Sequence, residues 1–403
     1  MPLDLGETIL QLERAAHGLS GSRQDRDRRL RALIEAAEGV DPADARSQTN
    51  FSMERRFLAA QVEDRLLGGY PPAGLPADWT VAAVDGSHID VDRHLPVSCY
   101  LVNLGGCSLT YGSQPDARFF SQPHLAWEQE ELYLQDPAGP THEEPITGAV
   151  LGMVRTVQEL ERLVQAVEEC PNGPPVLALV DGSLVLWGLS GQGYRPFVRD
   201  SIIGDRLLVA LDRFRELAQT RPVTLAAYVS LPRSTEVVNA VRSCLCPHPM
   251  TVCSRSCSNR RSVQGPCDLA NGFLDREVFQ STLQPGWRSP AYMTNSSVPR
   301  EHYGDNNQVY FYYLNVGQEI ARVEVPQWVA LDEGLLGLGH TLILDQCRRG
   351  QGYPVAISEA HEQAVINGRD RQLFKDMLAQ TLEGQGLANY TSEKERSKRS
   401  PWL

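Results

Sequence analysis

VAAVDGS at residues 81–87 and LALVDGS at 177–183 each close an apolar run with an acid, a glycine and a small hydroxyl. Short, fully apolar runs of this kind are read as strands buried on both faces, the sort found inside an α/β sheet. Between them, over Glu144–Glu169, the apolar period becomes helical: Val150, Met153, Val154, Val157, Leu160, Leu163 and Val164 share one broad face. After the second copy the spacing predicts a helix over about 196–219 and a further short strand, VTLAAYVS. Strands alternating with helices favour an α/β core over separate all-α and all-β parts.

Outward from this core the signals change. Residues 1 to about 70 read as helical, with Ile9, Leu12 and Ala16 on one face and Leu30, Leu33, Ile34 and Ala37 repeating the spacing. A helix over about 51–68 is expected to stop at GGYPPAGLPADW, which places a boundary between an N-terminal helical region, 1–78, and the main domain, 79–385. PVSCYLVNLGGCSLTYG reads as strand, and VYFYYLNVG and ARVEVPQWV as a strand pair. LDEGLLGLGHTLILDQCRRG predicts a helix. SEAHEQAVING predicts another, with Ser358 as its N-cap, Ala360, Ala364 and Val365 inward and His361 at the rim. The charged, Ser-rich stretch 386–403 reads as a flexible tail. No fixed-period repeat accompanies the DGS echo, which argues against a solenoid.

The composition, 42% hydrophobic and 22% charged, is that of a globular protein with a sizeable core. No apolar run approaches the roughly 18 residues of a membrane helix, and no secretory signal is visible, so the expectation is a cytoplasmic protein. A formal charge of −12 argues against a general nucleic-acid coat, though not against a local basic groove. Nine cysteines without an export signal point to thiols or metal ligands rather than a disulfide framework.

A single Asp-Gly pair is an ordinary turn signal. Two copies on apolar strands select the same exit acid twice, and the C-terminal edge of an α/β sheet is where such folds place ligands. Asp85 and Asp181 are therefore the first candidate site residues. Neighbouring carboxylates repel unless a cation lies between them, and hard divalent ions such as Mg²⁺ or Mn²⁺ prefer oxygen ligands. Such ions promote phosphoryl transfer. A third acid comes from RTVQELERL, where helical phase alone leaves both Glu159 and Glu161 open. The segment GYPVAISEAHEQAVI adds Tyr353 and His361; it is not the HExxH zinc signature, since no second histidine falls at i+4. An imidazole there can ligate a metal or touch a phosphate near neutral pH.

These features, in this order, resemble the NurA nuclease family: two DGS-type acids, then RSTEVV, the run YLNVG…ARVEVP, and a late Tyr-Pro…Glu-Ala-His segment. The resemblance runs from about 80 to 375. It implies an RNase H-like core, a mixed sheet flanked by helices, in a homodimer that degrades DNA 5′ to 3′ with Mn²⁺ (or Mg²⁺). It also implies partnership with a HerA-type hexameric ATPase that translocates DNA. Carried over, the family's acids fall on Asp85 and Asp181, and its tyrosine and histidine on Tyr353 and His361. Glu159 is favoured as the third acid because Arg155 and Thr156 precede it in an R-T-x-x-E pattern; Glu161 is the alternative. A different class of function is a catalytically inactive DNA-end-binding or assembly subunit of a translocase, and a weaker rival is a phosphatase of small esters.

The chain departs from the simplest members of that family in a Cys-rich insertion, 244–267. Cys244, Cys246, Cys253, Cys257 and Cys267 are spaced C-x-C-x₆-C-x₃-C-x₉-C, which matches no standard finger or ferredoxin run. Zinc, an iron–sulfur cluster or a loop of thiols all stay open. Arg255, Arg260 and Arg261 in the same loop are candidate phosphate contacts or merely its solvated face.

Overall fold

The computed structural model describes residues 4–50, 57–91, 97–139, 142–190, 193–247 and 265–386, the side chains of 17–22 excepted. Eleven strands are present among them: β1 Gln61–Val62, β2 Trp79–Ile89, β3 Tyr100–Tyr111, β4 Asp116–Ala126, β5 Tyr133–Gln135, β6 Glu143–Pro145, β7 Val176–Asp181, β8 Val223–Val229, β9 Tyr292–Met293, β10 Val309–Asn315 and β11 Ile320–Pro326. Apart from the small β5–β6 hairpin they form one mixed sheet, ordered β1-β9-β10-β11-β8-β7-β2-β3-β4. The strands β2, β3 and β4 make an antiparallel meander. Then β7 runs parallel to β2, and β8 parallel to β7. A meander followed by two strands parallel to its first member is the RNase H-like order, extended here on the β8 side by antiparallel β11, β10, β9 and β1.

Alternation along the central strands explains the layers. Ala82, Val84, Ala178, Val180 and Leu225 face one side, where they pack on Leu151, Val154, Val157 and Leu160 of α3, Gly148–Glu168. Val81, Ala83, Leu177, Leu179 and Ala226 face the other side. There they meet Leu342 and Ile343 of α6, Glu333–Arg349, and Ile357 and Ala360 of α7, Val355–Ala364. Each such aliphatic side chain, fully buried, contributes about 1.5–3 kcal/mol, which is why these runs carry no polar residue until the DGS acids. The helix expected over 196–219 is found as Pro196–Arg199, a π-helical run Asp200–Leu207, and α4, Leu208–Thr220.

The N-terminal region holds α1, Leu5–Glu38, and α2, Pro42–Asn50. Asp4 caps α1 by accepting from the Glu7 amide at 3.0 Å, and Arg26 fixes the helix to the main body through Glu277 and the Gly272 carbonyl. The helix expected over 51–68 is corrected for its described part: residues 57–68 are non-helical, and Gln61–Val62 instead pair with Tyr292 and Met293 at the sheet edge. Gly68, Gly69 and the prolines after them break a helical period that was too weak to propagate. No helix among the described residues is long and apolar enough to cross a membrane.

A buried polar network lies beneath β11. Arg322 donates to Glu236 of α5, Glu236–Cys244, at 2.7 Å and to Glu324 at 2.8 Å, with its guanidinium 3.6 Å from the Phe311 ring centre. Arg322 and Glu324 are two residues apart on one strand and so share a face. An Arg322→Met protein is expected to lose about 3–5 kcal/mol of stability, because two buried carboxylates are left without their cation. Urea unfolding checks this; an unchanged midpoint would mean that the acids are neutral in the fold.

Candidate active site

The first DGS is not the turn its composition suggests. Asp85 lies inside β2, which continues to Ile89 and keeps its pairing with β3, Asp85 opposite Gly105. Its parallel neighbour does stop: β2 and β7 pair as far as Val84 and Val180, and β7 ends at Asp181. Two residues in register on parallel strands are thus followed, one step later on each strand, by the two acids.

Each position of the DGS triplet has its own task. Gly86 leaves room for the third acid, since a Cβ there would lie 2.6 Å from Glu159 Oε1. Gly182 has φ +95°, a left-handed conformation that side chains disfavour. Ser87 Oγ donates to the Ala364 carbonyl at 2.7 Å, tying β2 to the end of α7. Ser183 Oγ donates to Glu324 at 2.7 Å, and the Leu184 amide to the same carboxylate at 2.9 Å, tying β7 to β11.

The late motif arrives on α7 and the turn before it. Tyr353 OH donates to Asp181 Oδ1 at 3.1 Å, its ring edge-on to buried Tyr228. His361 Nδ1 lies 2.8 Å from Asp85 Oδ2, and the imidazole is more than half exposed. With the proton on Nδ1 the histidine donates to Asp85, leaving Nε2 free toward solvent. The helix begins at Val355 after Pro354, so the expected N-cap, Ser358, sits a turn inside it; Val365 is exposed rather than inward. Proline fixes φ at the helix start without sacrificing a bonded amide, which outweighs the serine signal.

Of the two candidate third acids, the structure brings only Glu159 to the pair. Glu161 holds Arg206 through both oxygens, at 2.8 and 2.6 Å, on the outer side of α3. Glu159 is 5% exposed, and its Oε1 lies 3.1 Å from Arg155 Nε, close enough to attract but misaligned for a hydrogen bond. Burial pushes its carboxyl up to about 8, Arg155 pulls it down, and the charges of Asp85 and Asp181 push it up again. Burial also raises Asp181, opposed by the Tyr353 hydrogen bond and raised further by Asp85. Among the described residues no group of three or more His, Cys, Asp or Glu side chains stands ready around one point as a complete metal site. The donor chemistry nonetheless suits a hard cation: Glu159 and Asp181, whose affinity for protons is raised by burial and by neighbouring negative charge, and a buried oxygen without a hydrogen bond.

The proton on Glu159 has a thermal consequence. Its folded value exceeds the ordinary 4.5, so the folded state binds an extra proton between pH 4.5 and 8, and stability falls as pH rises through that window. Metal-free Glu159→Gln protein is therefore expected to melt a few degrees above wild type at pH 8–9, the gap closing toward pH 4.5. A gap that is constant with pH would show that Glu159 does not titrate there.

Several supporting residues escaped the sequence reading. Asn103 Nδ2 donates to the carbonyls of Ala364 and Gln363 at 3.0 and 3.2 Å, closing the C-terminus of α7. Glu324 organises the second DGS from a distant strand. A polar residue inside an apolar strand was the available signal for both. Arg155 was visible only as part of a pattern, although its i,i+4 spacing to Glu159 is that of a helical ion pair.

The cysteine expectation finds no support among the described residues. Cys244 ends α5, Cys246 follows it and Cys267 is buried in a short turn, while Cys253, Cys257, Arg255, Arg260 and Arg261 lie outside the described residues. No described cysteine belongs to a group able to hold a metal ion.

No curated protein matches the chain. Among solved structures it is similar to the NurA nuclease from Sulfolobus solfataricus, at 11% identity and TM-score 0.50, over 96% of this chain and 98% of that one. A second similarity is to a NurA structure with manganese, at 11% identity and TM-score 0.32, over 87% and 96% of the two chains. At 11% identity the likeness to the Sulfolobus solfataricus nuclease is one of fold. The NurA domain model matches residues 80–366, which span both DGS acids, Glu159, Tyr353 and His361, and the chain belongs to the NurA domain family.

Proposed function

We propose that this protein is a divalent-metal-dependent DNA nuclease that hydrolyses phosphodiester bonds. One observation carries the reading: Asp85 and Asp181 follow paired residues on parallel strands, with buried Glu159 beside them raised to about 8 by burial and by their charges. Asp85, Asp181 and Glu159 would hold Mn²⁺ or Mg²⁺, with His361 within reach of the same centre. When bound, the ion supplies Lewis-acid stabilisation of charge building on the phosphodiester oxygens. Tyr353 fixes the Asp181 carboxylate by donating to one oxygen, which leaves the other to face the ligand. Asp85 holds His361 Nδ1, so that the exposed Nε2 is aimed by a fixed ring; with the imidazole protonated on both nitrogens, Nε2 can donate to a phosphate oxygen or pass its proton to the leaving group. Gly86 and Gly182 keep the approach free of side-chain bulk. In this reading the protein cuts as a 5′ to 3′ exonuclease that can also cut within single strands, in DNA end resection, repair or defence. It works as a homodimer fed by a HerA-type hexameric ATPase.

Digestion of 5′- and 3′-labelled single- and double-stranded DNA with Mn²⁺, Mg²⁺ or EDTA, with and without the translocase, tests this. Cleavage with either ion and none with EDTA is expected, with 5′ label released first. Intact DNA under every condition would remove the nuclease reading.

A further inference from the structure

Beside the catalytic acids lies a cleft of about 450 Å³, in the size range of small-molecule sites. The two residues that follow Asp181, Gly182 and Ser183, line it, so the cleft begins where the strand carrying Asp181 ends. Trp187 forms part of the same lining and is 42% exposed, unusual for so large an apolar side chain. Its position is fixed: the indole Nε1 donates to Ser183 Oγ at 3.0 Å, and the loop behind it is pinned where Leu186 donates to Tyr303 OH at 3.0 Å. An exposed indole held rigid in this way is a stacking surface prepared in advance.

The lining also holds Val229, the last residue of β8, and Pro232 and Arg233 just beyond it. The chain turns there through Leu231, whose φ of 43° is strained for a leucine, and Arg233 follows exposed. Arg233 has no hydrogen bond or ion pair among the described residues, whereas Arg322 in the same lining is committed to Glu236 and Glu324. The cleft thus combines a planar aromatic wall, apolar surface and one uncommitted cation, beside two carboxylates suited to a metal.

We propose that this cleft takes one nucleotide of the DNA strand next to the bond being cut, its base stacked on Trp187 and its phosphate at Arg233. This rests on the nuclease reading above. A base reaches such a cleft only once it has left the duplex stack, so the cleft selects an unpaired or frayed strand at the point of cleavage.

The test uses end-labelled single-stranded oligonucleotides carrying one abasic residue, walked along the strand, with Mn²⁺ and single-turnover sampling. Wild type is expected to cut about tenfold more slowly at the bond whose flanking base is missing, the size of one base–aromatic stack. Trp187→Ala should be slowed by a similar factor on intact DNA and show no additional slowing at the abasic position, while Trp187→Phe keeps most of the rate. Arg233→Gln should raise KM more than it lowers kcat. Trp187→Ala cutting intact DNA at the wild-type rate would overturn the proposal, as would a loss in that variant that multiplies with the abasic loss. Cleavage abolished by Asp85→Ala but untouched by Trp187→Ala removes the cleft alone. A wild type that cuts no DNA with either ion removes the nuclease reading and the cleft together.

Discussion

An Asp85→Ala protein is expected to fold as wild type does and to lose DNA cleavage by about a thousandfold or more. Two links run through this carboxylate. It is one of the pair set side by side by the parallel register of β2 and β7, so its loss removes a candidate cation ligand and halves the negative charge at the strand ends. It also holds His361 Nδ1 at 2.8 Å, so its loss leaves the imidazole free to turn. The backbone around it is secured by other means, namely the pairing of β2 with β3 and the Ser87 bond to α7, and these survive the substitution. Labelled-DNA digestion beside a thermal melt checks both halves of the expectation. Asp85→Ala that still cuts within tenfold of wild type would move the chemistry away from the paired acids.

The second large effect is expected at a residue with no functional group. Gly105 lies opposite Asp85 on β3, and a Cβ there would fall within the backbone of Gln363 and Ala364, at the end of α7. Backbone cannot swing aside as a flexible side chain does, so Gly105→Ala must displace the helix that carries His361. Overpacking of this kind typically costs about 1–3 kcal/mol. Cleavage should fall further than stability, because a misplacement of about 1 Å is enough to cost roughly a hundredfold in rate. The control is Gly74→Ala, where a Cβ meets nothing within 4 Å and neither quantity should change. A melt and a cleavage assay on the two variants decide it; Gly105→Ala with wild-type activity would mean that α7 tolerates the shift and that His361 needs no fixed position.

These effects divide what the chain states locally from what it states only when folded. The apolar runs before each DGS, the helical face of Val150 to Val164 and the pairing of VYFYYLNV with ARVEV are legible because period and composition are local properties of a few consecutive residues. The acids themselves are legible for the same reason: a carboxylate directly after a fully apolar run stands out against its neighbours. Assigning the third acid needed more. Glu159 and Glu161 differ by two positions on one helix, and only the packing of α3, with Arg206 across from Glu161 and Gly86 beneath Glu159, separates them.

The 57–68 stretch shows the opposite limit, since a weak helical period there yields to pairing with β9, more than two hundred residues away in the chain. Sequence alone determined the α/β alternation, the repeated acid after an apolar run and the order of the motifs. Only tertiary structure decided that one exit acid lies within a continuing strand, that Asn103 and Ser87 hold the histidine helix, and that Trp187 and Arg233 line one cleft. The reason is physical: a strand's neighbours, and the room that a glycine leaves, depend on register between distant segments, and no local window of sequence contains it.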